Sequence, residues 1–198
     1  MIARAMALAA LVAAAGCALM TPADVATRKE LLSALPAEVP QGRARPVTLL
    51  VFPPDSAPVY DTTQMAYARQ AQQIEYFAKN AWGEKPSRMM HDLLVRTLEA
   101  THAFKAVVKP PHTEAYTHAV KSEIIDFHQD FTAEPAVMRI AMRFTLVSER
   151  SEKVVATKEL QVAQPMREKN PEAGVEAASA AAQKLLREAA AFVLEKAA

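Results

Sequence analysis

Val137-Met138-Arg139-Ile140-Ala141-Met142-Arg143-Phe144-Thr145-Leu146-Val147 alternates large apolar side chains with small or charged ones without a break. Met138, Ile140, Met142, Phe144 and Leu146 fall on one face, and Arg139, Ala141, Arg143 and Thr145 on the other. This period of two describes a strand with one side covered and one side facing water or a partner, as antiparallel sheets allow. Ser148–Lys153 is polar and turn-like, and Val154–Ala163 returns as a second strand, so the two form a hairpin. Upstream, Tyr116–Phe131 reads as a longer strand carrying Val120, Ile124, Ile125 and Phe127.

Helices flank this core. Asn170-Pro171-Glu172 places a cap, a first-turn proline and an early acid in the order a helix start prefers. Val175, Ala178, Ala182, Leu185, Ala189 and Phe192 then form an apolar stripe along a long C-terminal helix whose alanines permit close packing on a sheet. Pro86 opens a second helix, with Met90, Leu93, Leu94, Thr97, Leu98 and Thr101 on one face. Val47–Phe52, stopped by Pro53-Pro54, is a buried strand, and Phe104–Val108 is a short one. The fold class is α+β: an antiparallel β-sheet with an amphipathic helix and a long C-terminal helix packed on it.

Met65–Trp82 reads two ways. Its Ala and Gln content favours helix, with Tyr67, Ala71, Ile74 and Ala78 on one face. Read as strands instead, Met65–Arg69 and Ile74–Phe77 flank a polar turn, but propensity alone chooses the helix.

The N-terminus is a targeting segment. One basic residue, Arg4, precedes an apolar stretch from Ala5 to Ala15 that is too short to span a bilayer. Ala14-Ala15-Gly16-Cys17 resembles a lipobox, with Ala14 where leucine is usual, so residues 1–16 are expected to be a signal peptide and Cys17 the acylated first mature residue. The alternative is ordinary cleavage near Gly16, leaving a free thiol. Residues 17–46 are expected to be a tether punctuated by Pro22, Pro36, Pro40, Gly42 and Pro46, with at most a short helix at Thr27–Leu35, or else to pack partly along the domain. The folded domain is expected over 47–198.

Composition excludes several kinds of chemistry. Basic and acidic side chains number 23 and 22, and removing Arg4 with the leader makes them equal, so no cationic excess exists for nucleic acid. Four widely spaced glycines cannot build a phosphate-cradling loop, and one cysteine excludes disulfides and multi-cysteine metal sites. Asp126, His128 and Asp130 alternate along a strand in a spacing that metals accept, but no further ligand cluster accompanies them, and a solvated strand end is the reading preferred. No nucleophile elbow occurs, and no cofactor, metal or catalytic residue is expected. Tyr60, Tyr67, Tyr76, Phe77 and Trp82 gather most of the large amphipathic aromatics. Tyr67, Tyr76 and Trp82 are the candidate partner-binding residues. For the tyrosines docking and core roles weigh equally, whereas Phe77 and Trp82 read more readily as core.

Tyr60-Asp61-Thr62-Thr63-Gln64-Met65-Ala66-Tyr67-Ala68-Arg69, then Ile74-Glu75-Tyr76-Phe77, then Trp82-Gly83-Glu84-Lys85-Pro86 and the Leu94/Leu98 helix resemble the ABC-type transport auxiliary lipoproteins. This family includes the paraquat-inducible C-type lipoproteins associated with MCE transport systems. Gln70, Ala71 and Gly83 depart from its usual pattern. The resemblance covers residues 47–163 and implies strands over 65–77. It further implies a non-enzymatic, lipid-anchored periplasmic subunit of an MCE-type ABC lipid transport system. MCE-domain and ABC transporter subunits would be its partners, and the same resemblance allows a homo-oligomer. Ala18, where Asp would retain the protein at the inner membrane, implies the outer membrane, with palmitate among the acyl chains. The competing expectation is an envelope lipid carrier with an apolar groove between sheet and helix.

Overall fold

The computed structural model describes residues 27–112 and 114–197. In chain order the elements are β1 (Arg28–Glu30), β2 (Arg45–Val51), β3 (Asp55–Ser56), a single 3-10 turn (Pro58–Tyr60), β4 (Gln64–Ala68) and β5 (Glu75–Trp82). There follow α1 (Pro86–Glu99), β6 (Phe104–Val108), β7 (His118–Asp130), β8 (Val137–Ser148), β9 (Lys153–Pro165) and α2 (Pro171–Lys196).

Strand β7 is the spine. Antiparallel β8 follows one of its edges from His118 to Asp130, and β9 pairs antiparallel with β8. Along the other edge three short strands succeed one another in parallel: β2 opposite His118–Val120, β3 opposite Glu123–Ile124, and β4 opposite Gln129–Asp130. The α+β class holds, but the sheet is mixed rather than antiparallel throughout. Pro53, Pro54 and Pro58 explain the broken edge, because proline has no N–H for a ladder and ends each pairing after a few residues. The unbroken apolar run of β2 fits its two parallel neighbours, β6 and β7, since parallel strands are covered on both faces.

The alternation in β8 places its residues as expected: Met138, Ile140, Met142, Phe144 and Leu146 are all essentially inaccessible. α2 lies across β8 and β9 on that face, and α1 packs beside α2 and β6. Ala178, Ala182, Leu185 and Ala189 meet the sheet with no exposure left, and Phe192 is buried beside them. Removing one such large side chain, Phe144 for instance, would cost about 3–5 kcal/mol. Asn170 caps α2 as its sequence predicts, its Oδ1 accepting from the Ala173 N–H at 2.8 Å. An extra residue at Ile125 bulges β7, so the core face carries Val120 and Ile124 before it and Phe127 and Gln129 after it.

Residues 65–77 are extended, as the resemblance implied against helix propensity. β4 and β5 form an antiparallel pair, and β5 continues to Trp82. The segment before β2 differs from the helix expected at Thr27–Leu35. Arg28–Glu30 is instead a strand, parallel to β5. Leu32 is buried, its N–H donating to Met89 Sδ at 3.4 Å, so the chain from Arg28 to Pro46 is laid along the domain as a strap. Gly42 completes the strap: a Cβ there would lie 2.6 Å from Ala103 Cβ and 2.8 Å from Leu194 Cδ2, a closeness only glycine tolerates.

Candidate functional site

The register of the β4–β5 pair separates the two candidate tyrosines. Tyr67 stands opposite Glu75, and Tyr76 opposite Ala66, so the tyrosines project from opposite faces of the sheet. Cys17 lies outside the described residues. Trp82 is 2% exposed and meets Phe127 edge-on, with ring centroids 5.5 Å apart. It is a core residue, and no partner can reach it.

Tyr67 is on the helix-side face, where the sheet runs past the first turn of α2. Its ring lies 4.4 Å from that of Phe77 and 5.6 Å from that of Phe131, all three being half-buried. The Tyr67 hydroxyl donates to Glu75 Oε2 at 3.0 Å, and Arg69 Nε donates to Glu75 Oε1 at 3.0 Å while its guanidinium sits over the Tyr67 ring. Partial burial and then the hydrogen bond to Glu75 raise the Tyr67 phenol above its ordinary range, and the hydrogen bonds from Arg69 and Tyr67 hold Glu75 below the usual carboxylate range. The arrangement is a fixed aromatic face with a charged rim. Phe77, read in the sequence as core, belongs to it. Phe131 was missed, because only the pairing of β4 with the end of β7 brings it to Tyr67.

Tyr76 is half-buried on the other face, its hydroxyl donating to the Val59 carbonyl at 2.9 Å. Beside it the bulge at Ile125 aligns Asp126, His128 and Asp130, the alternating trio seen in the sequence. They are not a solvated strand end. The Tyr60 ring stacks on His128 at 5.8 Å, and its hydroxyl donates to Asp126 Oδ1 at 3.3 Å and lies 2.9 Å from His128 Nδ1. Burial, then the Asp126 charge, push the Tyr60 phenol well above its ordinary range, and burial lowers His128 despite both carboxylates. Burial works against ionisation of Asp130, yet hydrogen bonds from Thr132 and Arg139 hold it down at about 2. With Asp130 so engaged the trio cannot converge on an ion, and among the described residues no group of three His, Cys, Asp or Glu is placed to hold a metal. These residues line an open hollow of about 430 Å³ with Gln70, Gln73 and Ile74.

The rest of that face is uncovered by any helix and mixes charged and hydroxyl side chains with Val147 and the exposed Val154. Arg143 spans three strands, donating to Glu123 at 2.9 Å on β7 and to Glu159 at 3.0 Å on β9. A second surface groove of about 430 Å³ runs between Pro36–Glu38 and α2, lined by Lys184 and Arg187.

The fold is thus a mixed sheet with both helices on one face and a strap laid along the domain. The model of the ABC-type transport auxiliary lipoprotein component matches residues 30–190. The chain belongs to that family. It is therefore a lipoprotein-type auxiliary component of an ABC-type transport system, working with transporter components and not as an enzyme. The match begins inside the strap, consistent with the strap being part of the family's domain.

Solved structures carry the same fold. Protein XCC0632 from Xanthomonas campestris superposes with a TM-score of 0.74 at 18% identity, covering 86% of this chain and 95% of that one. The hypothetical protein CT253 from Chlamydia trachomatis gives 0.53 at 12% identity, covering 77% of this chain and 98% of that one. No curated protein matches the chain significantly. Among the described residues no helix is long and apolar enough to cross a membrane.

Proposed function

We propose that this auxiliary component serves an MCE-type ABC lipid transport system as a periplasmic adaptor. Residues 1–16 are its export signal, acyl chains on Cys17 hold it at the outer membrane, and the domain docks an MCE-domain partner that links the two membranes. Anchor and docking together raise the effective concentration of the partner, so a modest intrinsic affinity suffices.

The observation that carries this reading is the one-sided sheet. α1 and α2 cover one face with a filled interior, while the opposite face of β7–β9 presents Lys121, Arg143 and Thr157 to solvent beside the half-buried Tyr76. A sheet bare on one side leaves a face open to water or to a partner, and docking through it is the reading we adopt. The filled contact between β8 and α2 supports an adaptor over a carrier, which needs an apolar cavity there for an acyl chain.

Photo-crosslinking residues at Lys121 and Thr157 test it. Both positions should give an adduct with the MCE-domain protein in cells, and a crosslinker at Arg187 on the outer side of α2 should not. Adducts from Arg187 alone, or none from any position, would reject docking through this face.

A further inference from the structure

We propose that the aromatic face of Tyr67, Phe77 and Phe131 rests against the lipid surface that holds the protein's own anchor. The proposal depends on the reading of Cys17 as acylated, and uses a face distinct from the one assigned to the protein partner.

The route of the chain argues for it. β1 is parallel to β5 with Arg28 opposite Asn80, so β1 begins on the side of the ladder toward Phe77. Phe77 precedes Asn80 by three residues, or about 10 Å at the strand rise. The ion pair of Arg28 with Glu172 fixes this entry point to the first turn of α2. In the same turn Gly174 lies over Gln129, whose register partner is Tyr67. Entry point and aromatic face therefore occupy one end of the fold. Cys17 is eleven residues ahead of Arg28, a span of at most about 40 Å when fully extended. The end that bears the three rings is thus the end tethered nearest the bilayer.

The chemistry of this end suits a headgroup region. Tyrosine, with an apolar ring and a polar tip, is favoured where apolar and polar media meet, and the two phenylalanines beside Tyr67 add apolar area. The rings are half-buried in the protein, so only their outer edges are open to a headgroup region. Glu75 and Glu172 are occupied by Arg69 and Arg28, whereas the exposed Lys29 on β1 and Lys79 on β5 have no ion pair among the described residues. Two free cations on the bordering strands complement anionic lipid.

The test uses the mature lipidated protein in vesicles of phosphatidylethanolamine and phosphatidylglycerol containing a brominated phosphatidylcholine. Buried Trp82 supplies the baseline emission. Tyr67→Trp and, independently, Phe77→Trp should each be quenched by bromolipid severalfold more than Lys121→Trp on the opposite face. If one variant fails to fold, the other carries the measurement. Quenching by aqueous acrylamide but not by bromolipid would show a face left in water and overturn the proposal. Protection from both quenchers would show it covered by protein, a second copy included, and would overturn it as well. Flotation of the vesicles separates the two readings. Protein that floats without the quenching contrast refutes the lipid-facing surface alone, whereas protein that fails to float refutes the anchor and this proposal together.

Discussion

Gly174, in the first turn of α2, sits directly over the Gln129 side chain: a Cβ at that position would lie 2.0 Å from Gln129 Nε2. Gln129 is 1% exposed, so its amide has no open space to retreat into. Gly174→Ala should therefore destabilise the domain by about 1–2 kcal/mol, the overpacking cost exceeding the helix-propensity gain. In a Gln129→Ala background the same change should become stabilising by up to about 1 kcal/mol. Denaturant midpoints of the four proteins in this cycle give the coupling, and additive effects would contradict the proposed contact.

Gln129 carries a second consequence. Neither its Oε1 nor its Nε2 has a hydrogen-bond partner among the described residues, and both are fully buried. Replacing it by the similarly shaped Met should raise stability by about 1–2 kcal/mol, since an orphaned amide is removed and apolar contact is gained. A lower thermal midpoint for Gln129→Met would mean that the amide is satisfied in solution.

The aromatic residues should separate by burial. Trp82→Ala should cost about 3–5 kcal/mol, as expected for a large side chain removed from the core. Tyr67→Ala and Tyr76→Ala, half-buried, should each cost about half as much, in proportion to the area they remove from water. Urea titrations of the three variants decide it. Equal losses in all three would place the tyrosines in the core after all.

Asp130 should make the protein acid-sensitive in a defined window. Its pKa falls from 3.8 to about 2 in the folded state, so its ionised form adds stability that is complete above pH 4 and lost as the pH drops toward 2. The lost contribution is on the order of 1–2 kcal/mol. Asp130→Asn should be less stable than wild type at pH 6, with the difference closing between pH 4 and 2. A constant difference across that range would assign the effect to packing rather than ionisation.

A chain that begins at Gln41 lacks β1 and Leu32. It should still unfold cooperatively, because β2–β9 and both helices remain, but with a thermal midpoint clearly below that of a chain beginning at Arg28. Equal midpoints would show that the strap adds nothing.

What the sequence revealed follows what is local. The alternation in Val137–Val147, the cap at Asn170 and the stripe of α2 are periodic signals within single elements, and each appears in the structure where it was read. Residues 65–77 carried a helical composition, and the sheet overrode it by pairing β4 with both β5 and β7. β1 had no signal: Arg28-Lys29-Glu30 is wholly charged and is extended only because β5 offers it an edge. That Tyr67 and Tyr76 face opposite ways depends on the register that sets Tyr67 against Glu75 and Ala66 against Tyr76, which no count along the chain supplies. The Tyr60–Asp126–His128 cluster was half visible as alternation in β7, and its tyrosine partner came from far away in sequence.

The attachment of β1 also sets how the domain bears load. Tension applied at Arg28 along the strand axis would strain the ladder to Asn80, Ala81 and Trp82 in shear, its bonds together rather than one after another. Behind the ladder, the Leu32 side chain is locked in the core. With Cys17 acylated as proposed, a pull from the membrane along that axis would be resisted at this short strand, before any force reaches the helices or the bare face of the sheet.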